Sequence, residues 1–396
     1  MNFSNIKHYK DLKKEIENRP EFVFNHEEET NSYVVKYNVL FSTSFEHEDE
    51  NISQLLREAR GITFDTSSGA VISRKYHKFY NIGEKPSSSI GNIDFSKTHW
   101  IMEKLDGSCI STLTTSPLPV TKAGRSDVAK MVDVWFQKDN YRKFNEYVRE
   151  NNWTASYEFC SLRQRIVVEY VDENLILTAV RDNITGEYVF NPDELKEIGK
   201  EYNIPVVNSY KVENQNIEDI ISSIKSAEGI EGIIIRFEDG NMYKVKSDEY
   251  IRFHNAVSRI KQEKDIIRII LNDELDDILP IVNDSDKKEL INFSDKFLKG
   301  IHNITNEIFI FGLANYSDDQ KDFAINVIDK NKLYSKFILR DRELFNGDKN
   351  NIDIARNHIQ TRIKEYIYKE SASGPRVEKI RWLFGDICFH KIYMEE

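Results

Sequence analysis

Lys104 is the residue whose setting most invites chemistry. It closes an apolar run (Trp100, Ile101, Met102) and is followed by Asp106, Gly107 and a strand-like run through Cys109, Ile110 and Thr112. Such a pattern puts one ammonium at the mouth of a sheet, with a carboxylate two residues on and a glycine that lets the backbone pass close to a ligand. A lysine reacts as the neutral amine, a form that desolvation and neighbouring cations favour. The same residues also describe a strand end followed by an ordinary Asp-Gly turn.

Other charged residues recur at strand-like segments. Glu158 lies between Tyr157 and Phe159, and Glu231-Gly232 opens the run Ile233-Ile234-Ile235-Arg236. Lys244 and Lys246 are two residues apart, so on a strand both project from one face. Arg57 with Arg60, Arg74-Lys75 with Lys78, Lys122 with Arg125, and Arg163 with Arg165 add cations. Taken singly, each reads equally as half-buried sheet, a strand-start turn or a solvated face. The formal charge of −11 argues against a nucleic-acid partner unless cations cluster locally, as these groups do.

These residues need elements to hold them. Helical spacing of Ile6, Tyr9, Leu12 and Ile16 predicts an opening helix over 6–18. Strands are expected at Tyr33–Phe41, Ala59–Asp65, Val71–Asn81, the run after Lys104 with its return through Val120-Thr121-Lys122, Thr154–Phe159, Ile166–Tyr170, Leu175–Arg181 and Tyr188-Val189. Helices are expected over 127–150, 193–202 and 217–227, and Gly232–Phe237 and Met242–Lys246 form a strand pair joined by Asp239-Gly240. Beyond about His254 the pattern turns almost wholly helical, with helices over 253–271, 287–297, 304–311, 321–328 and 352–368. The expected fold is therefore α+β: a domain over 1–253 of antiparallel sheets with flanking helices, then an all-α domain over 254–396.

The 396 residues are 40% hydrophobic, enough for a core in each part. The polar N-terminus and the lack of a long apolar segment predict no signal peptide and no membrane span. Three dispersed cysteines and nine scattered histidines predict neither a disulfide framework nor a structural zinc, and suit a reducing, cytoplasmic setting.

In this order the segments resemble the covalent nucleotidyltransferase superfamily of ATP-dependent ligases and capping enzymes. More closely, Arg57 to Asp65, Ser73 to Glu84, Lys104 to Thr112, Tyr157 to Tyr170, Val180 to Tyr188 and Ile230 to His254 resemble the RNA ligase 1 family of T-even bacteriophages. Ser247, Asp248 and Tyr250, after the lysine pair, sharpen that resemblance, which covers roughly residues 30 to 280 and fades beyond.

The resemblance implies an N-terminal nucleotidyltransferase (ATP-grasp-like, ligase) domain and an ATP-dependent RNA ligase. Lys104 would take AMP from ATP, pass it to an RNA 5′-phosphate, and an RNA 3′-hydroxyl would displace it. Lys244 and Lys246 would touch the α-phosphate, Lys78 aided by Arg74 the other phosphates, Arg60 and Tyr37 the nucleotide, and Glu158 the ribose. Asp106 and Gly107 belong to the nucleophile motif and its nucleotide contacts. Glu231 would stand near a metal and the reacting phosphate, with magnesium expected and manganese the alternative. Lys122 or Arg125 would fill a further phosphate-binding position, and Asp276, with Asp277, falls where the family has metal-binding acids. The helical domain implies a preference for tRNA cut in the anticodon loop, with a separate end-healing kinase/phosphatase preparing the ends. The chain is expected to be monomeric, and to work in the host cytoplasm if phage-encoded. Aromatics Trp382, Phe384, Phe389 and Tyr393 read as core rather than base-stacking residues. Two other readings remain: a DNA-joining or capping nucleotidyltransferase, against which the lack of a strand-rich tail speaks, and a catalytically silent RNA-binding module.

Overall fold

The computed structural model describes residues 3–37, 43–161, 168, 170–213, 216–260, 262–280, 282, 284–385 and 387. It divides into two compact units, the first running to Arg252 and the second beginning at Phe253. The first is mixed α+β and the second, among the described residues, is helical.

The first unit carries three sheets. β1 (Phe22–Glu27), β2 (Ser32–Tyr37), β3 (Ile62–Asp65) and β4 (Val71–Ser73) form an antiparallel sheet in sequence order. A second sheet collects β5 (Tyr80–Asn81), β6 (His99–Lys104), β10 (Ser209–Lys211), β11 (Gly232–Phe237) and β12 (Met242–Lys246), in the order β10-β6-β11-β12-β5. The third is β7 (Ser108–Ser111), β8 (Trp153–Cys160) and β9 (Asn174–Asp182), antiparallel throughout. β5 pairs parallel to β12, an exception to the expected antiparallel pattern.

Alternation of side chains decides what each sheet buries. Ile101, Ile233, Ile235 and Val245 pack on Ile221 from the helix Ile217–Lys225. Along β8, Ala155, Tyr157 and Phe159 join Phe144 and Val148 of the helix Asp139–Glu150 in another core. Glu158, at the alternate position, is thereby left on the opposite face.

Several expected elements differ. The strand expected over Val71–Asn81 is two strands in different sheets, because Arg74, Lys75 and His77 turn inward and are buried as the chain crosses between sheets. The helix over 127–150 is three, Asp127–Met131, Asp133–Phe136 and Asp139–Glu150, and Tyr188 makes only an isolated bridge with Arg181. β1, β10 and the helix Glu50–Leu56, which Asp49 caps by accepting from the Asn51 N–H, are additions. Residues 38–41 of the strand expected over Tyr33–Phe41, and Ile166 and Val167 with Arg163 and Arg165, lie outside the described residues.

In the second unit, Asp284–Ala314 is one long helix where two were expected. Its Ile301 and Ile308 share a core with Ile359, Ile363 and Ile367 of the helix Ile352–Glu370. The span 253–271 contains Glu263–Leu271 and part of Asp248–Arg259. Trp382 is 75% exposed, contrary to the core role expected of it, whereas Phe384 packs edge-on against Phe297 at 5.3 Å. Phe389 and Tyr393 lie outside the described residues.

Candidate active site

Strand register assembles the centre of the site. Gly232 pairs with Lys104 on β6 and with Lys246 on β12, so one cross-strand row carries both lysines. Glu231, one residue before, reaches back between them: its Oε1 lies 2.6 Å from Lys104 Nζ and 3.0 Å from Lys246 Nζ. The carboxylate is 4% exposed while the lysines are 21% and 25% exposed, so two cationic heads open towards solvent over a buried anion. Gly232 makes this approach possible. A Cβ there would stand 2.0 Å from the Val245 carbonyl oxygen, and its φ of +147° suits only glycine well.

The segment after β12 locks the row in place. The Ser247 N–H donates to the Glu231 carbonyl at 3.0 Å, and Ser247 Oγ donates to the Ile230 carbonyl at 2.9 Å and accepts from the Tyr250 N–H at 3.0 Å. Tyr250 lies under Lys246, whose Nζ is 4.7 Å from the ring centroid, and its hydroxyl donates to Asp106 Oδ1 at 2.9 Å. Burial, then Glu231 and Asp106, holds that hydroxyl protonated by raising its pKa. Tyr250 was seen in the sequence as part of a motif, but its tie to Asp106 was not.

A second group adjoins the first. Lys244 Nζ stands 5.4 Å from the Phe79 ring centroid. Burial first, then the charges of Lys78, Arg60 and Lys104, lowers its pKa to about 7. Tyr37 ends β2; burial would raise its pKa, but the charge and hydrogen bond of Arg60, with Lys122 and Lys78, bring it below the usual value. Gly61, at φ +88°, packs so closely on the turn at Lys122 that a Cβ would stand 2.7 Å from the Lys122 Cα. Glu158 faces Cys109 across β7 and β8, and burial, then Glu158, raises the Cys109 thiol to about 11 despite Arg60, Lys75 and Lys122. Lys104, Glu231, Lys246, Lys244, Lys78, Arg60, Tyr37, Lys122 and Glu158 thus form one connected neighbourhood of the first unit.

Three expected site residues of the first unit are placed otherwise. Arg74 is fully buried, 3.0 Å from Glu58, and donates to the backbone carbonyls of Ile184 and Ser4, so it cannot assist Lys78 at a phosphate. Glu58 also pairs with buried Arg181 at 2.9 Å, and the two guanidinium groups overcome burial to hold its carboxyl well below the usual range. Asp106 turns both oxygens inward, accepting from the Val168 N–H at 2.7 Å and from Tyr250, while its own N–H donates to Tyr170 Oη at 2.8 Å. It positions the loop after Lys104 instead of facing a nucleotide. Gly107 passes close to protein rather than ligand, since a Cβ would lie 2.5 Å from the Phe159 carbonyl oxygen. Asp276 is exposed on the short helix Leu275–Ile278 of the second unit. Of the two basic residues after the hairpin, Arg125 is committed internally, to Glu29 at 3.0 Å and Asp133 at 2.6 Å, which leaves Lys122 at the site.

Among the described residues no group of three or more His, Cys, Asp or Glu side chains could enclose a metal ion. Magnesium binds readily through one carboxylate with phosphate and water oxygens. Glu231 fits that role for an ion arriving with phosphates.

Residues 58–250 match the model of the RNA ligase family, and over these residues the chain is similar to it. A putative RNA ligase of Thermovibrio ammonificans is 29% identical over 266 residues, covering 63% of this chain and 67% of that protein. A putative bifunctional polynucleotide kinase/RNA ligase of Autographa californica nuclear polyhedrosis virus is 25% identical over 270 residues; these are 61% of this chain but only 37% of the viral protein. A solved archaeal ATP-dependent RNA ligase matches 94% of this chain and 78% of its own at 12% identity, with a TM-score of 0.40, too low to establish a shared fold.

Proposed function

We propose that this chain is an ATP-dependent RNA ligase that joins 5′-phosphate and 3′-hydroxyl ends through a lysyl-AMP intermediate. The observation that carries the reading is the Lys104–Glu231–Lys246 row, in which one buried carboxylate aligns a nucleophile and a phosphate-binding cation. Lys104 Nζ attacks the α-phosphorus of ATP and gives up a proton to Glu231 Oε1, its hydrogen-bond acceptor. The P–N bond forms, and the bond to the β-phosphate oxygen breaks. Lys244 and Lys246 neutralise charge on the α-phosphate, Lys122 fills a further phosphate-binding position, and Arg60, Tyr37 and Glu158 hold the nucleoside. AMP then passes to an RNA 5′-phosphate, and a 3′-hydroxyl displaces it. Magnesium, bound to the phosphates and Glu231, would supply further charge neutralisation.

The physiological break we propose is a cut tRNA, recognised through residues 254–396. Ends of other chemistry would first need a kinase/phosphatase. Incubation with ATP and magnesium should add the mass of one adenylate to the wild type and none to Lys104→Ala. No adduct with any divalent ion would favour a silent binding module, whereas a guanylate adduct would favour capping. Offering the adenylated protein 5′-phosphorylated RNA or nicked DNA then separates the joining activities.

A further inference from the structure

Tyr80 on β5 is ringed by three cations, of which Arg57 and Lys85 have no role so far. Lys78 Nζ, the Arg57 guanidinium and Lys85 Nζ lie 5.2, 5.7 and 5.8 Å from its ring centroid. The Lys78 N–H donates to the Arg57 carbonyl at 2.8 Å, which ties two of the three together through the backbone. Each cation leans on a carboxylate: Lys85 on Glu46 at 2.5 Å, Arg57 on Glu50 at 3.7 Å and Lys78 on Glu84 at 4.0 Å. The cationic side chains are 17–19% exposed, whereas the carboxylates are 43%, 64% and 33% exposed. Glu46 and Glu50 therefore form an outer rim over the cations, whereas Glu84 is held in place by the Asn81 N–H and side-chain amide at 2.8 and 2.7 Å. Among the described residues Arg57 Nε is buried without a hydrogen-bond partner, and such a donor costs free energy until an acceptor takes it.

We infer that Arg57 and Lys85, together with Lys78, seat the pyrophosphate that leaves when Lys104 attacks ATP. The inference rests on the ligase reading above and takes its direction from the sheet. Attack by Nζ forms the P–N bond as the bond to the bridging oxygen breaks, and the pyrophosphate departs with that electron pair, opposite the attacking nitrogen. The attacker stands on β6, and the α-phosphate cations Lys246 and Lys244 stand on β12, beyond β11. The same line continues to β5, three strand spacings or about 14 Å from β6. Lys78 is the bridge, since its charge acts on Lys244 while its head lies on Tyr80. Arg57 offers a planar fork with an unused donor, the geometry that suits phosphate oxygens. Arg74, expected from the sequence to assist Lys78, is buried elsewhere; Arg57 and Lys85 take that place.

The test is ATP–pyrophosphate exchange by the full chain carrying Arg57→Gln, Lys85→Gln or both. Each single change should raise the KM for pyrophosphate about tenfold, and the pair should raise it further. Sealing of chemically pre-adenylated RNA, which involves no pyrophosphate, should stay within about twofold of wild type; this also shows that the variants fold. An unchanged KM for pyrophosphate overturns the inference, as does an equal loss in both assays. Absence of exchange and adduct in the wild type would instead sink the ligase reading itself.

Discussion

Burial is the largest influence on Lys244, and the charges of Lys78, Arg60 and Lys104 act in the same direction, to bring its pKa to about 7. At pH 8 the free protein should therefore hold Lys244 mostly neutral. Bound phosphates favour the ammonium, so ATP binding should take up a proton, and affinity should fall with rising pH by at most about tenfold per unit. Calorimetry in two buffers of different ionisation enthalpy measures that proton. Lys244→Arg, charged at any working pH, should abolish both the uptake and the slope. Lys75 makes the related point for stability. Its ammonium is buried, among the described residues without a carboxylate partner, donating to the Gly61 carbonyl at 2.5 Å and Thr63 Oγ1 at 3.0 Å, and burial lowers its pKa from 10.5 to about 7. Between those pH values the unfolded chain binds the extra proton, so stability rises as pH increases from about 7 towards 10. One such group contributes at most about 1.4 kcal/mol per pH unit. Lys75→Met should remove that share of the slope in urea titrations at pH 7, 8 and 9, whatever it does to the absolute value.

At the scale of elements, register matters more than any one contact. Gly232 lets β11 press against β12 closely enough for Glu231 to reach both lysines. Gly232→Ala should cost about 3 kcal/mol or more and abolish adenylate formation. Gly91→Ala, where a Cβ meets nothing within 4 Å, should stay within about 0.5 kcal/mol of wild type in the same denaturation assay. The charges between elements behave similarly. Glu58→Gln would leave Arg74 and Arg181 buried without their anion and should destabilise by about 3–5 kcal/mol. Much of this was readable in the sequence. Alternation placed Lys244 and Lys246 on one face, the apolar run fixed the strand before Lys104, and the Asp239-Gly240 turn fixed the pairing of β11 with β12. What could not be read were choices made between elements. Arg74 and Lys78 look alike in one dimension, and only the crossing between sheets turns one inward and leaves the other at the site. β1 was hidden by the acids at its end, Glu27 to Glu29, which resemble a loop until Tyr37 pairs with Phe22. Asp106 and Gly107 have the residue types of a ligand contact, but tertiary packing uses them to hold the nucleophile loop.

For the whole molecule, the arrangement of apolar cores gives the most direct prediction. The large core of the second unit is drawn from Ile260 to Leu383, whereas the other buried clusters are drawn from Ile6 to Val245. Among the described residues no cluster takes buried members from both, so each unit has an apolar core of its own. The residues proposed for adenylation in the first unit all lie before residue 252, and the last tie in their network, Tyr250 to Asp106, is on the helix Asp248–Arg259. A chain of residues 1–259 keeps that helix and should still gain one adenylate with ATP and magnesium, at a rate within about tenfold of the full chain. If the second unit recognises broken tRNA, the same truncation should lose sealing of a tRNA nicked in its anticodon loop by about a hundredfold or more, while joining short single strands is less affected. Comparing the two substrates, each for both chains, checks the assignment. Equal losses on both would place general RNA binding in the second unit, and undiminished tRNA sealing would remove any role for it in recognition.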